Sequence, residues 1–106
     1  MFGARPSIDI ETIQKEIDAG DALLVDVRSD GEYSASHARG AVHLDVDRIL
    51  QGETPTKDTD TKLYLYCASG GRSGTAQRIL QNSGFNAENI GGLSHWQAAG
   101  GNVERG

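Results

Sequence analysis

The chain has 106 residues, enough for one compact domain and too few for two. Hydrophobic residues make up 37% and charged residues 24%, lean for a globular chain but outside the disordered range, so a modest core is expected. With 10 Lys+Arg against 15 Asp+Glu the formal charge is -5; no overall field draws the chain to nucleic acid or anionic lipid, and any bound anion needs a local device. The 1 Cys excludes an internal disulfide framework and zinc sites built from several thiolates, and the 3 His show no paired ligand spacing, so no metal is expected. No stretch approaches the roughly 18 apolar residues of a membrane span. Residues 1–6 (MFGARP) lack an apolar run behind their Arg, so no secretory signal is expected and the cytoplasm is the default compartment.

In chain order, residues 7–10 alternate polar and apolar and predict a short strand. Ile10, Ile13 and Ile17 then fall at helical spacing, with Asp9 as N-cap and Gly20 as the end. Residues 22–27 (ALLVDV) form a nearly continuous apolar run, the pattern of a central parallel strand covered on both faces. Ser29 and Glu32 stand at capping-box spacing, which predicts a helical turn over 30–36 with Tyr33 inward. A short strand over 41–44 and a small helix over 46–51 follow. Residues 52–62, with Pro55 and several Thr and Asp, predict a mobile surface loop. Residues 63–66 (LYLY) suit a strand, a helix is expected over 73–83 closed by Gly84 and Phe85, and residues 87–90 give a last strand. Gly91-Gly92 reads as a turn before a final helix over 93–99 that presents Trp96. Strands alternating with helices at this spacing predict an α/β fold, a mostly parallel sheet with helices on both faces.

Ligands in such sheets collect beyond the carboxyl ends of the strands, where Cys67 falls. The run Cys67-Ala68-Ser69-Gly70-Gly71-Arg72-Ser73 carries two glycines that permit positive φ, so successive N–H groups can converge into an anion nest around the sulfur. A helix starting near Ser73 adds its dipole, which should lower the thiol pKa from about 8.5 toward ~3.5–7.5. Arg72 either reaches the anion or braces the loop. No Gly-Lys-Ser/Thr ends the loop and no G-x-G-x-x-G occurs, which argues against ATP and NAD. The plain alternative is that Cys67 is a small buried hydrophobe.

Asp26-Val27-Arg28, Glu32-Tyr33, His37, Gly40-Ala41, the loop from Cys67 to Ser73, and Gly91-Gly92-Leu93 before Trp96 together resemble a single-domain rhodanese, the thiosulfate sulfurtransferase family. The resemblance runs from about Ile8 to Gly100. It implies a five-stranded parallel sheet, Cys67 as the residue that becomes a persulfide, and Ala68, Ser69, Gly70, Gly71, Arg72 and Ser73 as the substrate-binding loop. Four residues separate Cys67 from Arg72, the sulfurtransferase spacing; related phosphatases and arsenate reductases use a loop one residue longer. The implied reaction moves a sulfane sulfur from thiosulfate to cyanide or a thiol in two displacements, without a cofactor. A small-molecule donor and a thiophilic acceptor are the expected partners, with an acceptor protein's cysteine as an alternative. A weakly catalytic persulfide relay module is the rival reading, with residues 52–62 as its contact, and the same acidic thiol suits a redox sensor.

The sequence departs from the family pattern in three places. The loop residues 68–71 are uncharged, so weak thiosulfate binding is expected, and Arg39 and Asp45 stand where proline is usual. Arg39 is a candidate to replace the missing loop charge. Asp26 and Arg28 are expected to brace the sheet end, and His37 to be a hydrogen-bonded structural residue, because a thiolate held by backbone donors needs no general base. His43 is expected to point to solvent or a neighbouring loop, His95 is a candidate for the pocket rim, and Trp96 is expected to pack in the core.

Overall fold

The structure is a computed structural model that describes residues 8–106. Residues 1–6, and Ser7 of the expected opening strand, lie outside that range.

Helix α1 (Ile10–Asp18) begins where Asp9 accepts hydrogen bonds from the Thr12 N–H at 3.0 Å and the Thr12 hydroxyl at 2.8 Å. That cap commits residues 9–12 to a helix entry, so no strand forms at residues 8–10. Strand β1 (Ala22–Asp26) is the expected buried run. Helix α2 (Asp30–Ala35) opens with the full Ser29/Glu32 capping box. Strand β2 (His37–Ala38) and strand β3 (Val42–His43) follow, then helix α3 (Val46–Leu50). Asp45 caps α3 by accepting from the Asp47 N–H at 2.9 Å, which gives the residue in the usual proline position a local purpose.

Residues 52–61 follow local turns. Thr54 donates to the Thr56 carbonyl at 2.7 Å, and the Asp60 N–H donates to Asp58 at 2.9 Å. Strand β4 (Lys62–Cys67), helix α4 (Gly71–Asn82), strand β5 (Ala87–Gly92), helix α5 (Leu93–Ala98) and strand β6 (Val103–Glu104) complete the described chain.

The α/β class with a parallel sheet is observed; among the described residues that sheet has four strands rather than five, in the order β3-β1-β4-β5. β2 and β6 form a separate antiparallel pair, His37 against Glu104 and Ala38 against Val103, which the sequence reading did not contain. Two-residue strands are too short to show an alternation of their own. Gly91 and Gly92 are also part of β5, paired with Tyr66 and Cys67, instead of forming a turn.

Period-2 alternation divides the core between the two faces of the sheet. Leu63, Leu65 and Cys67 of β4 join Val25, Ala76 and Leu80 on the face covered by α3 and α4. Tyr64 and Tyr66 join Leu24, Ile13 and Trp96 on the face covered by α1 and α5. No helix among the described residues is long and apolar enough to cross a membrane.

Candidate active site

Cys67 is the last residue of β4, and the strand's alternation aims its side chain at the amino end of α4. Helix α4 starts at Gly71, two residues earlier than expected, because Gly70 serves as its N-cap with φ at +103°. Only glycine takes that left-handed turn without strain, and of the two loop glycines only Gly70 uses it. No side chain caps the helix, so its first N–H groups are left for the sulfur. The Gly70 N–H donates to Cys67 Sγ at 3.0 Å, and the Ser73 hydroxyl oxygen lies 3.3 Å from it.

Cys67 is 1% exposed, and burial is the largest single influence on its thiol, pushing the pKa up. The Ser73 hydroxyl and the N–H groups of Ser73, Ser69 and Gly70 together outweigh burial and bring the thiol down to about 7. A substantial thiolate fraction therefore exists at neutral pH.

Arg72 makes a bidentate pair with Glu32, through Nη1 at 2.7 Å and Nη2 at 3.0 Å. It braces the loop against α2, and its guanidinium also feels the charge of Cys67. Arg72, with the Ser29 hydrogen bonds, overcomes burial and holds the Glu32 carboxyl down to about 2. Because the folded state lowers this carboxyl from 4.5, the pair stabilises the fold above that pH and stops doing so as pH falls toward 2. Both side chains are more than a third exposed, so the contribution is ~1 kcal/mol or less. Glu32→Gln keeps the capping geometry and removes the charge. Urea unfolding should show a loss of that size at neutral pH, disappearing near pH 2.

Gly92 packs against the loop from β5. A β-carbon there would overlap the Ala68 carbonyl and lie 3.2 Å from Ser69 Cα. Gly92→Ala should therefore push the loop off its donors, destabilising the protein by ~1–3 kcal/mol. The pH midpoint of Cys67 alkylation by iodoacetamide should move above its expected position near 7. An unchanged midpoint in a folded variant would refute this account of the loop.

The other residues singled out from the sequence lie in bracing roles. Arg28 Nε donates to both Asp26 oxygens at 3.0 Å and Nη2 to Oδ2 at 2.6 Å; the Tyr66 hydroxyl donates to Asp26 Oδ2 at 2.7 Å. His37 stacks on Tyr33 at 3.9 Å, with Nδ1 2.9 Å from the Tyr33 carbonyl. His43 covers the other face of Tyr33 and bonds the Arg28 carbonyl at 2.7 Å, a neighbouring loop as expected. His95 Nδ1 accepts from the Gly92 N–H at 2.8 Å, so it holds the start of α5. Arg39 lies 3.9 Å from Glu104 on β6, a carboxylate partner rather than a loop group. Trp96 is buried and donates to the Asn102 carbonyl at 2.8 Å.

Sequence reasoning missed two contributors to the loop. The spacing makes Glu32 a cap and the resemblance includes it with Tyr33, but nothing local announces its pairing with a residue 40 positions away. Asn89 on β5 was read only as strand, although an Asn two residues before a glycine is an Asx-turn signal.

Comparison with known proteins agrees with this geometry. The model of the rhodanese-like domain matches residues 9–99. The chain is 35% identical over 101 residues to a tRNA sulfurtransferase of Desulfurococcus amylolyticus, covering 92% of this chain but 20% of that protein's length. It is 32% identical over 71 residues to the thiosulfate sulfurtransferase PspE of Escherichia coli, covering 65% of this chain and 68% of that one. A crystal structure of a rhodanese-related protein from Thermoplasma volcanium superposes with a TM-score of 0.74 at 24% identity, covering 94% of this chain and 98% of that one; this likeness shows the fold alone. The matched span contains every buried residue of both core clusters, on either face of the sheet. The chain belongs to the rhodanese-like domain family.

Proposed function

We propose that Cys67 is the catalytic residue of a sulfane-sulfur transfer and carries the sulfur as a persulfide. The observation that carries this reading is the sulfur's setting: the Gly70 N–H at 3.0 Å, the uncapped start of α4 beside it, and a thiol at about 7. In the first step the thiolate attacks the outer sulfur of thiosulfate; the S–S bond breaks and sulfite leaves with the bonding electrons. In the second, cyanide or a thiolate attacks the outer persulfide sulfur, and the Cys67 thiolate is restored. The donors in the loop 68–73 meet the negative charge in both steps, so protein groups do the electrostatic work and no cofactor enters. The name of the PspE relative supports thiosulfate as a usable donor. We place the chemistry in the cytoplasm, where a lone thiol stays reduced.

One observation favours a second reading, in which a partner protein delivers the sulfur as a persulfide and the domain relays it. Arg72 is paired with Glu32 and residues 68–71 are uncharged, so the loop offers the sulfonate end of thiosulfate no cation beyond one already in an ion pair. Steady-state turnover of thiosulfate with cyanide separates the readings: fast turnover supports the enzyme, and persulfide formation without turnover supports the relay.

Intact-mass spectrometry after incubation with thiosulfate tests the common core. A gain of one sulfur that cyanide removes is expected. No gain with thiosulfate or with a low-molecular-weight persulfide would overturn the assignment.

A further inference from the structure

Half-buried Asn89 directs its whole side chain at the loop around Cys67. Its orientation is set by neighbours that have no choice of role. The Gly91 N–H only donates and lies 2.9 Å from Oδ1; the Gly70 carbonyl only accepts and lies 2.9 Å from Nδ2. Gln77 on α4 accepts from the Asn89 main-chain N–H at 2.5 Å, which fixes the backbone beneath it. The Ser73 oxygen then stands 2.7 Å from Oδ1, an atom without a hydrogen, so the hydroxyl's single hydrogen points there. That same oxygen is 3.3 Å from Cys67 Sγ and 3.4 Å from the Gly91 carbonyl.

One hydrogen cannot serve three acceptors at once. While Cys67 is a neutral thiol, the shortest contact wins, and the thiol's own hydrogen faces a free lone pair on Ser73. Once the thiol's proton has left for solvent, the sulfur becomes a charged and stronger acceptor. The Ser73 hydroxyl can then rotate to it, leaving Oδ1 with the Gly91 N–H alone. The bond to the Gly70 carbonyl is present in both states and secures the left-handed turn that aims the Gly70 N–H at sulfur.

We infer that Asn89 is a positioning residue for sulfur transfer, holding Gly70 against the sulfur and storing the Ser73 hydrogen until Cys67 ionises. The inference rests on the proposed function for its bearing on transfer, but ionisation itself can be read without any sulfur donor. The charged or titratable groups around this array are Arg72 with its partner Glu32, and His95, whose Nδ1 is occupied by the Gly92 N–H.

The experiment follows the pH midpoint of iodoacetamide alkylation at Cys67 in the full chain, with thermal unfolding alongside. Asn89→Leu should raise the midpoint by ~0.5–1 unit, a threefold to tenfold smaller thiolate fraction on the acid side, because the Gly70 donor loses its anchor. The same variant frees the Ser73 hydroxyl for the sulfur, which acts in the opposite direction, so a rise requires the Gly70 anchor to outweigh it. An unchanged midpoint with a lower melting temperature would make Asn89 merely structural, a lowered midpoint would show that it holds the thiol neutral instead of positioning Gly70, and either would overturn the inference. Wild-type protein gives a second reading that does not depend on a variant folding. The Gly91 amide and Asn89 side-chain amide resonances should shift through the same midpoint as alkylation, and Ser73→Ala should remove most of that shift. Resonances that stay still while the Gly70 amide titrates would overturn the stored-hydrogen mechanism. Thiosulfate mass gain, measured in parallel, keeps the two claims apart: its absence with a shifted Asn89→Leu midpoint refutes the sulfur-carrier reading and leaves the control of the thiol in place.

Discussion

Cys67→Ser is expected to leave a folded protein that takes up no sulfur. A serine oxygen fits where Sγ sits and accepts from the same Gly70 N–H, 3.0 Å from the present sulfur, so the loop keeps its partner. The buried cluster around residue 67 loses some apolar contact, a cost of about 1 kcal/mol. The chemistry has no such substitute. An alcohol stays protonated where the thiol ionises at about 7, and an oxygen cannot carry the persulfide. Sulfur transfer should fall to the uncatalysed background, the mass gain with thiosulfate should disappear, and the melting temperature should shift by only a few degrees. Residual transfer by a folded Cys67→Ser protein would remove Cys67 from the mechanism.

The largest effect on stability is expected at Asp26→Ala. Asp26 is fully buried and Arg28 is 6% exposed, and the carboxylate is the shared acceptor of the Arg28 guanidinium, the Arg28 N–H and the Tyr66 hydroxyl. Burial first, then the hydrogen bond to Asp26, pushes the Tyr66 phenol up, so it stays a donor across the physiological range. Its oxygen in turn accepts from the Ala38 N–H at 2.9 Å, which extends the network from β1 through β4 to β2. Removing the carboxylate leaves a guanidinium and a hydroxyl buried without their acceptor. Breaking a buried pair from one side costs ~3–5 kcal/mol, a large share of the ~5–15 kcal/mol that holds a domain of this size. The melting temperature should fall by about 15–30 °C. Asp26→Asn, which keeps an acceptor oxygen and the volume but loses the charge, should cost less; equal losses in the two variants would show that the charge alone, and not the acceptor oxygen or the volume, holds the network. The same network fixes the carboxyl end of β1 beside that of β4, where Cys67 sits, so partial unfolding of the site should accompany the loss.

These two residues also show how differently parts of this molecule are written in its sequence. The apolar run over residues 22–27, the Ser29/Glu32 box and the LYLY alternation are local patterns, and each became the expected strand or helix because its physics acts between residues a few positions apart. Cys67 at a strand end ahead of Gly70-Gly71-Arg72-Ser73 is equally local, and the order of these residues along the chain is enough to place donors around the sulfur. The opening strand failed for a local reason as well, since the Asp9 cap competes with it for the same residues. The β2–β6 pair could not be read, because two residues carry no period and their partners meet only when the chain has closed.

By itself, then, the sequence determined the α/β order of elements, the family, and the loop that surrounds the thiol, all of them encoded by neighbours along the chain. Only the tertiary structure decided that Arg72 is spent on Glu32, that Gly92 has room for no side chain against Ala68, and that Asn89 reaches the Ser73 hydroxyl. Each of those facts depends on which atoms two distant segments bring within about 3 Å of one another, the range in which hydrogen bonds act. No periodicity or spacing in one dimension records that distance.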